Sequence, residues 1–395
     1  MANVLASVAG VYGFLEAMGR NQGVGTLAAE ITSSSAVGRV INYFEPFHGK
    51  ASAPVVLTWA PRFNAFCTIN IPLKAMYSSD PGTSWGKGYP HKQLCFYNDA
   101  DKLLFSIGLL PANIPEGWSS GNSYPAAAGA MKPYIFFYGD ASTTVPTSYE
   151  QLAGLPRIPG EIDGGTNNAW YSSYGNLSFT YNWDATTPSN SVLKIRWRGI
   201  DISITDLYTK IQVASKLIAK FTMGEAVVAA GNNNNYFGSG LVKYVVVADD
   251  VDYSLAVDLL YPNAFGPTNQ FIGGISAVNT ATQDTTYVAS SSEVSSVCEL
   301  ALTDLASYGN LDAIHKLDLF TFLRYVQAGG TEIAFTCSLI DIEGNVHASS
   351  VVNIAANETE TACRTNKVLT SLMSSVTADK YTLAQVQGLL VRISI

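Results

Sequence analysis

The stretch Leu317–Asn345, LDLFTFLRYVQAGGTEIAFTCSLIDIEGN, carries the clearest strand pattern in the chain. From Glu332 the side chains alternate, with Ile333, Phe335, Cys337 and Leu339 on one face and Glu332, Thr336 and Ser338 on the other. Period two over this length predicts a strand from Thr331 to Ile342 with one buried face. Ahead of it, Leu317–Tyr325 is dense in aromatic and β-favouring residues and ends in Gln327-Ala328-Gly329-Gly330, which suits a turn needing φ > 0. Glu343-Gly344-Asn345 is a second turn signal. Together they predict an antiparallel meander of long strands.

Outward from this stretch the chain reads the same way. Strands are predicted at Arg39–Phe44, Val55–Ala60, Phe63–Ile71, Gln93–Tyr97, Leu103–Leu110 and Tyr134–Tyr138. Farther on, Leu177, Phe179, Tyr181 and Trp183 share one face, and Leu193, Ile195 and Trp197 oppose Lys194, Arg196 and Arg198. Val242–Val247 and Tyr253–Tyr261 read as a hairpin through Asp249-Asp250, and Tyr381–Ile395 ends on an apolar alternation. Asp206–Phe221 is predicted as a helix: Asp206 is a cap, Leu207, Ile211, Ala214, Leu217, Ile218 and Phe221 form the apolar stripe, and Lys210, Lys216 and Lys220 face out. Ser296-Val297-Cys298-Glu299 has capping-box spacing and opens a second helix ending near Gly309. The long loop Pro111–Pro133, with Trp118 and Tyr124, has the length of a functional or interface loop. Gly154-Leu155-Pro156-Arg157-Ile158-Pro159-Gly160 is the linker candidate. The domains expected are an N-terminal arm over 1–37, a first β-rich domain over 38–155 and a second β-sandwich domain over 156–395. The fold class is all-β, an antiparallel β-sandwich with a few short helices in its loops.

Lys316-Leu317-Asp318-Leu319-Phe320-Thr321-Phe322-Leu323-Arg324-Tyr325, followed by Thr331-Glu332-Ile333-Ala334-Phe335, resembles the part of the largest picornavirus capsid protein where a helix runs into a strand of the viral jelly roll. The family has a short acidic turn after its Arg-Phe pair, where this chain has Val326-Gln327-Ala328-Gly329-Gly330. The resemblance covers about a tenth of the chain. It implies a jelly roll, one elaborated or two, and a structural subunit of an icosahedral virus capsid.

Composition fits a protein that buries surface against partners. Of 395 residues only 14% are charged, while there are 33 Gly and 21 Tyr. Interface centres are depleted in charge and rich in aromatics, although extracellular β-proteins share this composition. Net charge is -8 with no run of Lys or Arg, which excludes a basic arm that neutralises nucleic-acid phosphates. The five cysteines, Cys67, Cys95, Cys298, Cys337 and Cys363, are widely spaced and odd in number, so free thiols made in a reducing cytosol are expected. Asn176-Leu177-Ser178 and Asn357-Glu358-Thr359 are sequons relevant only to a secreted chain. Met1–Ala29 lacks the basic start of a signal peptide, and Glu16 interrupts its apolar part. No run approaches the roughly 18 apolar residues of a membrane span.

Residues with chemical potential are scattered. His48, His91, His315 and His347 lie at no metal-ligand spacing, and Gly23-Val24-Gly25-Thr26-Leu27-Ala28 matches the dinucleotide fingerprint only loosely, without a preceding strand. Asp249, Asp250 and Asp252 are read as a solvated turn, against calcium ligands or, with Asp258, glycosidase carboxylates. Asn232–Asn235 with Tyr236 and Phe237 is a loop tip or a carbohydrate contact. Lys194, Arg196 and Arg198 form a basic row, read either as charge blunting an edge strand or as a weak contact with a viral genome. No catalytic, cofactor or metal residue is assigned, and no enzymatic activity is expected. The expected protein is a coat subunit found in the virion and made in the host cytoplasm, with copies of itself or sister subunits as partners. The alternative is a carbohydrate-binding or carbohydrate-cleaving β-sandwich.

Overall fold

The computed structural model describes residues 2–9, 31–33, 42–44, 55–71, 94–111, 131–141, 146–152, 154–155, 175–223, 242, 244–257, 262–273, 296–302, 320–323, 332–354, 364–367, 386 and 388–395. Its strands, in chain order, are β1 (Val4–Ala9), β2 (Ile31–Ser33), β3 (Asn42–Phe44), β4 (Val55–Arg62), β5 (Asn64–Ile71), β6 (Leu94–Asn98), β7 (Leu103–Pro111), β8 (Met131–Phe137), β9 (Ser148–Gln151), β10 (Gly175–Asn182), β11 (Val192–Trp197), β12 (Ile200–Ile204), β13 (Ile218–Met223) and β14 (Tyr244–Ala248). They continue with β15 (Pro262–Asn269), β16 (Val297–Leu302), β17 (Phe320–Leu323), β18 (Ile333–Ile340), β19 (Val346–Ile354), β20 (Arg364–Lys367) and β21 (Leu390–Ser394); a short helix, α1, spans Leu207–Lys210. The paired strands described below run antiparallel, so the all-β antiparallel expectation holds.

The chain divides into two units, Met1–Gly19 with Tyr43–Val257, and Arg20–Asn42 with Asp258–Ile395. The expected boundary at residue 155 therefore falls inside the first unit, whose sheet joins β5 and β10 from either side of it. The expected arm is also different, because Val4–Ala9 is a strand paired with β14.

In the first unit a front sheet of order β1-β14-β5-β10-β11-β12 packs on a back sheet of order β4-β13-β6-β7-β8-β9. The rings of Phe96 in the back sheet and Phe179 in the front sheet lie 5.2 Å apart, and those of Phe105 and Tyr181 6.0 Å apart. Phe96 also stacks on Phe105 at 4.5 Å and meets Phe221 at 5.0 Å. Leu177, Phe179, Tyr181, Leu193, Ile195 and Trp197 are buried, so the alternation read from β10 and β11 is the inner face of this sandwich.

The helix expected over Asp206–Phe221 is one turn followed by a strand. Asp206 makes no capping bond; its carboxylate instead pairs with Lys210 Nζ at 3.0 Å, and Lys210 also pairs with Glu150. The chain leaves the helix at Ile211, and Gln212 N–H donates to the Tyr138 carbonyl at 2.9 Å. From Ile218 it enters β13, which pairs with β4 and β6 on its two sides. An inner strand buries both faces and so loses the period-two signature, leaving an apolar run that imitates a helical stripe. The expected hairpin over Val242–Tyr261 is replaced likewise, because β14 lies between β1 and β5 and the chain turns away after Ala248.

In the second unit a five-stranded sheet has the order β15-β16-β21-β18-β19. The β18–β19 hairpin turns at Asp341–Asn345, where Asp341 accepts the N–H groups of Glu343 and Asn345 and Gly344 sits at φ 90°. Phe335, Cys337 and Leu339 join Cys298, Leu300, Val391 and Ile393 in one core, as the alternation predicts. Ser338, on the other face, is buried as well and donates to Ser349 Oγ at 2.9 Å. The meander is otherwise interrupted: Phe320–Leu323 pairs with β20 in a separate two-stranded sheet, not with β18. The second expected helix is strand β16, whose capping-box residue Glu299 is a buried carboxylate bound by Arg392.

Candidate functional site

The outer face of the front sheet gathers polar side chains in rows that cross the strands. Register places Val246, Thr68, Ser178, Arg196 and Asp201 side by side in one row. A second row holds Tyr244, Asn70 and Asn176, and a third holds Phe66, Thr180, Lys194 and Ser203. The inner neighbours of these residues fill the core, so the period-two rule turns all of them outward. Ser178 Oγ donates to Thr68 Oγ1 at 3.0 Å, and Asn70 Nδ2 donates to Asn176 Oδ1 at 2.5 Å. Those bonds satisfy hydroxyls and amides that burial would otherwise leave at a cost of about 1–3 kcal/mol each.

Arg196 is the charged centre of this face. Its Nη1 lies 3.7 Å from Asp201 Oδ2, and its guanidinium carbon lies 4.3 Å above the ring centroid of Tyr253. Lys194 and Arg198, on either side along the chain, are exposed. Because β11 lies between β10 and β12, the basic row is not a charged edge. That removes the edge-blunting explanation: Lys194 is exposed and Arg196 half-buried, while Phe66, Thr68, Ser178 and Val246 in the neighbouring strands are buried.

The acidic residues after β14 build a turn. Asp250 Oδ1 accepts the Val251 N–H at 2.7 Å, and Asp252 Oδ1 accepts the Ser254 N–H at 3.0 Å and the Ser254 hydroxyl at 2.5 Å. Asp249 accepts the backbone N–H of Asn3 at 2.6 Å and its side-chain amide at 2.8 Å, with Arg62 Nη1 at 3.8 Å. Among the described residues no group of His, Cys, Asp or Glu is arranged to hold a metal ion. Partial burial pushes the Asp249 carboxyl up, but the Asn3 bonds and the Arg62 charge outweigh it and hold its pKa below the ordinary value.

The Asp249 clip should therefore be pH-dependent. A carboxylate with a depressed folded pKa stabilises above its unfolded value of about 3.9, and the contribution is lost as pH falls through the folded value. Asp249→Ala is expected to cost about 1–2 kcal/mol at neutral pH. In urea melts, the gap between wild type and variant should close on acidification; a gap that widens in acid would contradict this assignment.

Other residues singled out in the sequence are dispersed. His347 Nε2 lies 3.4 Å from Asp341 Oδ2 at the second-unit hairpin. Cys67, Cys95, Cys298 and Cys337 are buried and form no disulfide with one another. Asn176 of the first sequon is bonded inside β10. His48, His91, His315, Cys363, Asp258, Gly23–Ala28, Asn232–Phe237, the sequon at Asn357, most of the Pro111–Pro133 loop and most of the Gly154–Gly160 linker lie outside the described residues. Among the described residues no helix is long and apolar enough to cross a membrane. Tyr253, Asn70 and Tyr244 gave no signal in the sequence, because register across distant strands brings them to this face.

No family model matches the sequence, and no curated protein matches it. Among solved structures, the alginate lyase vAL-1 from Chlorella virus is 10% identical at TM-score 0.31, with 63% of this chain and 100% of that one covered. The endo-beta-1,4-glucuronan lyase from the fungus Trichoderma reesei is 11% identical at TM-score 0.29, covering 62% and 96%. The marine PL-14 alginate lyase from Aplysia kurodai is 11% identical at TM-score 0.24, covering 63% and 98%. Likenesses this weak carry no chemistry over to this chain. They nevertheless correct the coat-subunit expectation: the similar structures are polysaccharide lyases, not capsid proteins. The expectation of no enzymatic activity is corrected with it. Of the segment that carried the resemblance, Phe320–Leu323 pairs with β20 and Ile333–Ile340 lies between β19 and β21.

Proposed function

We propose that the first unit is a carbohydrate-active β-sandwich that takes an acidic polysaccharide on the outer face of its front sheet and cleaves it. The supporting observation is half-buried Arg196 with exposed Lys194 on the same strand face and the half-buried Asn70–Asn176 amide pair in the next row. A uronate unit offers one carboxylate among hydroxyls. A guanidinium grips a carboxylate with two parallel N–H bonds, while side-chain amides exchange hydrogen bonds with sugar hydroxyls. On a chain of net charge -8, cations gathered on one sheet face also steer a polyanion to that place.

The same groups suit cleavage by elimination. In elimination a base takes the proton next to the uronate carboxylate, a carbon–carbon double bond forms, and the glycosidic oxygen leaves and takes up a proton; the negative charge built on the carboxylate on the way is stabilised by a fixed guanidinium with amide donors. Glycoside hydrolysis instead uses a pair of carboxyl groups flanking the bond. Among the described residues of these rows the carboxylate is Asp201, which is engaged with Arg196.

Alginate, glucuronan and a neutral glucan are the probes. The expected results are retardation of the protein in gels containing either polyuronate, weakened by salt, and growth of the ultraviolet absorbance of an unsaturated uronate end. Arg196→Ala should weaken retention about tenfold, the scale of one lost charge-assisted contact. Equal retention by the neutral glucan, or reducing ends appearing without that absorbance, would reject the acidic substrate or the elimination respectively.

A further inference from the structure

The acidic turn after β14 fixes the place of Tyr253. Asp250 and Asp252 fix the backbone on either side of Tyr253, and Leu255 is tied twice, through its N–H to the Asp252 carbonyl and through its carbonyl to the Tyr244 hydroxyl, both at 3.4 Å. Tyr253, 42% exposed, then reaches over the sheet. Its ring meets the ring of fully buried Phe66 edge-on, at 5.4 Å and 89°, and lies against the Arg196 guanidinium at 4.3 Å.

We propose that Tyr253 is a positioning residue for Arg196, holding the guanidinium flat so that its N–H edge faces an incoming carboxylate; this rests on the acidic-polysaccharide reading of the face. Two observations carry it. A cation within about 6 Å of a ring centroid is attracted by the ring, and stacking fixes the plane of a guanidinium in a way that a point charge would not feel. Asp201 lies at 3.7 Å, beyond hydrogen-bond length, so it biases the charge without locking the donor fork. The ring is anchored by Phe66, from the core-forming strand β5, so the turn transmits the rigidity of the sheet to an otherwise mobile long side chain.

The variants are Tyr253→Phe, which keeps the ring, Tyr253→Leu, which removes it, and Arg196→Lys, which keeps the charge. In wild type and Tyr253→Phe, the δ-methylene protons of Arg196 should show an upfield ring-current shift in nuclear magnetic resonance spectra; in Tyr253→Leu that shift should vanish. Binding of a short polyuronate should weaken about fivefold in Tyr253→Leu and stay near wild type in Tyr253→Phe. In turnover, kcat should fall along with kcat/KM in Tyr253→Leu, because the guanidinium also stabilises the charge that builds during elimination. Arg196→Lys should bind as poorly as Tyr253→Leu or worse. Tyr253→Leu that keeps both the shift and the affinity overturns the proposal. A wild type that binds no polyuronate overturns the reading of the face alone, and the Arg196 resonances then decide by themselves whether the ring holds the guanidinium.

Discussion

Replacing Phe96 with alanine is expected to destabilise the first unit by about 3–5 kcal/mol, through lost transfer energy and the cavity left behind. Phe96 is buried and touches the rings of Phe105, Phe221 and Phe179, so one truncation opens both the back sheet and its packing on the front sheet. With a usual margin of about 5–15 kcal/mol, such a unit would melt far below wild type. Phe63, 39% exposed in the bend between β4 and β5, is the control, and its alanine variant should move stability by about 0.5 kcal/mol. Urea midpoints from tryptophan fluorescence would compare the two. Equal midpoints would mean that the two sheets do not share this core.

The second large effect belongs to the second unit. Glu299 is 2% exposed, and its Oε1 accepts Arg392 Nε at 2.9 Å and Arg392 Nη2 at 2.7 Å, while Oε2 accepts the Thr268 N–H at 2.9 Å. Burial pushes the Glu299 carboxyl up, but these bonds and the Arg392 charge hold it below the ordinary carboxylate value. Arg392→Ala strands the carboxylate, and breaking such a pair costs about 3–5 kcal/mol; the Arg392 side chain is itself 32% exposed, which puts this case near the lower end. The pair stabilises above the unfolded glutamate value of about 4.3 and stops doing so as pH falls through the folded value. Denaturant melts at neutral and acid pH should therefore show a deficit that shrinks in acid. The double change Glu299→Leu with Arg392→Met should recover most of the loss, since apolar replacements of buried pairs are often neutral. If the double variant is the least stable of the series, the pair contributes more than the removal of a stranded charge can explain.

Legibility in the sequence followed the number of covered faces. Strands β4 to β8, β10 and β11 were readable from alternation, β-favouring residues and the turns around them, and Phe335 and Leu339 were assigned to the correct face. Strand β13 was not, because Ile218, Ala219, Phe221, Thr222 and Met223 are all buried between two neighbours. Strand β16 was misread because the partner of Glu299 is Arg392, 93 residues away, and a local capping rule cannot see it. At the candidate site, the facing of Lys194, Arg196 and Arg198 was legible from period two. The residues that give Arg196 its surroundings were not: Asp201 pairs across a turn, while Phe66 and Tyr253 arrive from strands and turns far along the chain.

The clip between Asn3 and Asp249 joins residues 246 positions apart, and β1 finds its place only beside β14. At a synthesis rate of about 5–20 residues per second, roughly 10–50 s separate the emergence of the two partners from the ribosome. During that interval β5 can pair with β10 on one side only, since its other neighbour is also β14. An unpaired edge next to apolar surface is a template for joining other chains. The nascent front sheet therefore stays open until β14 arrives, and this is the period in which a holding chaperone would protect it most.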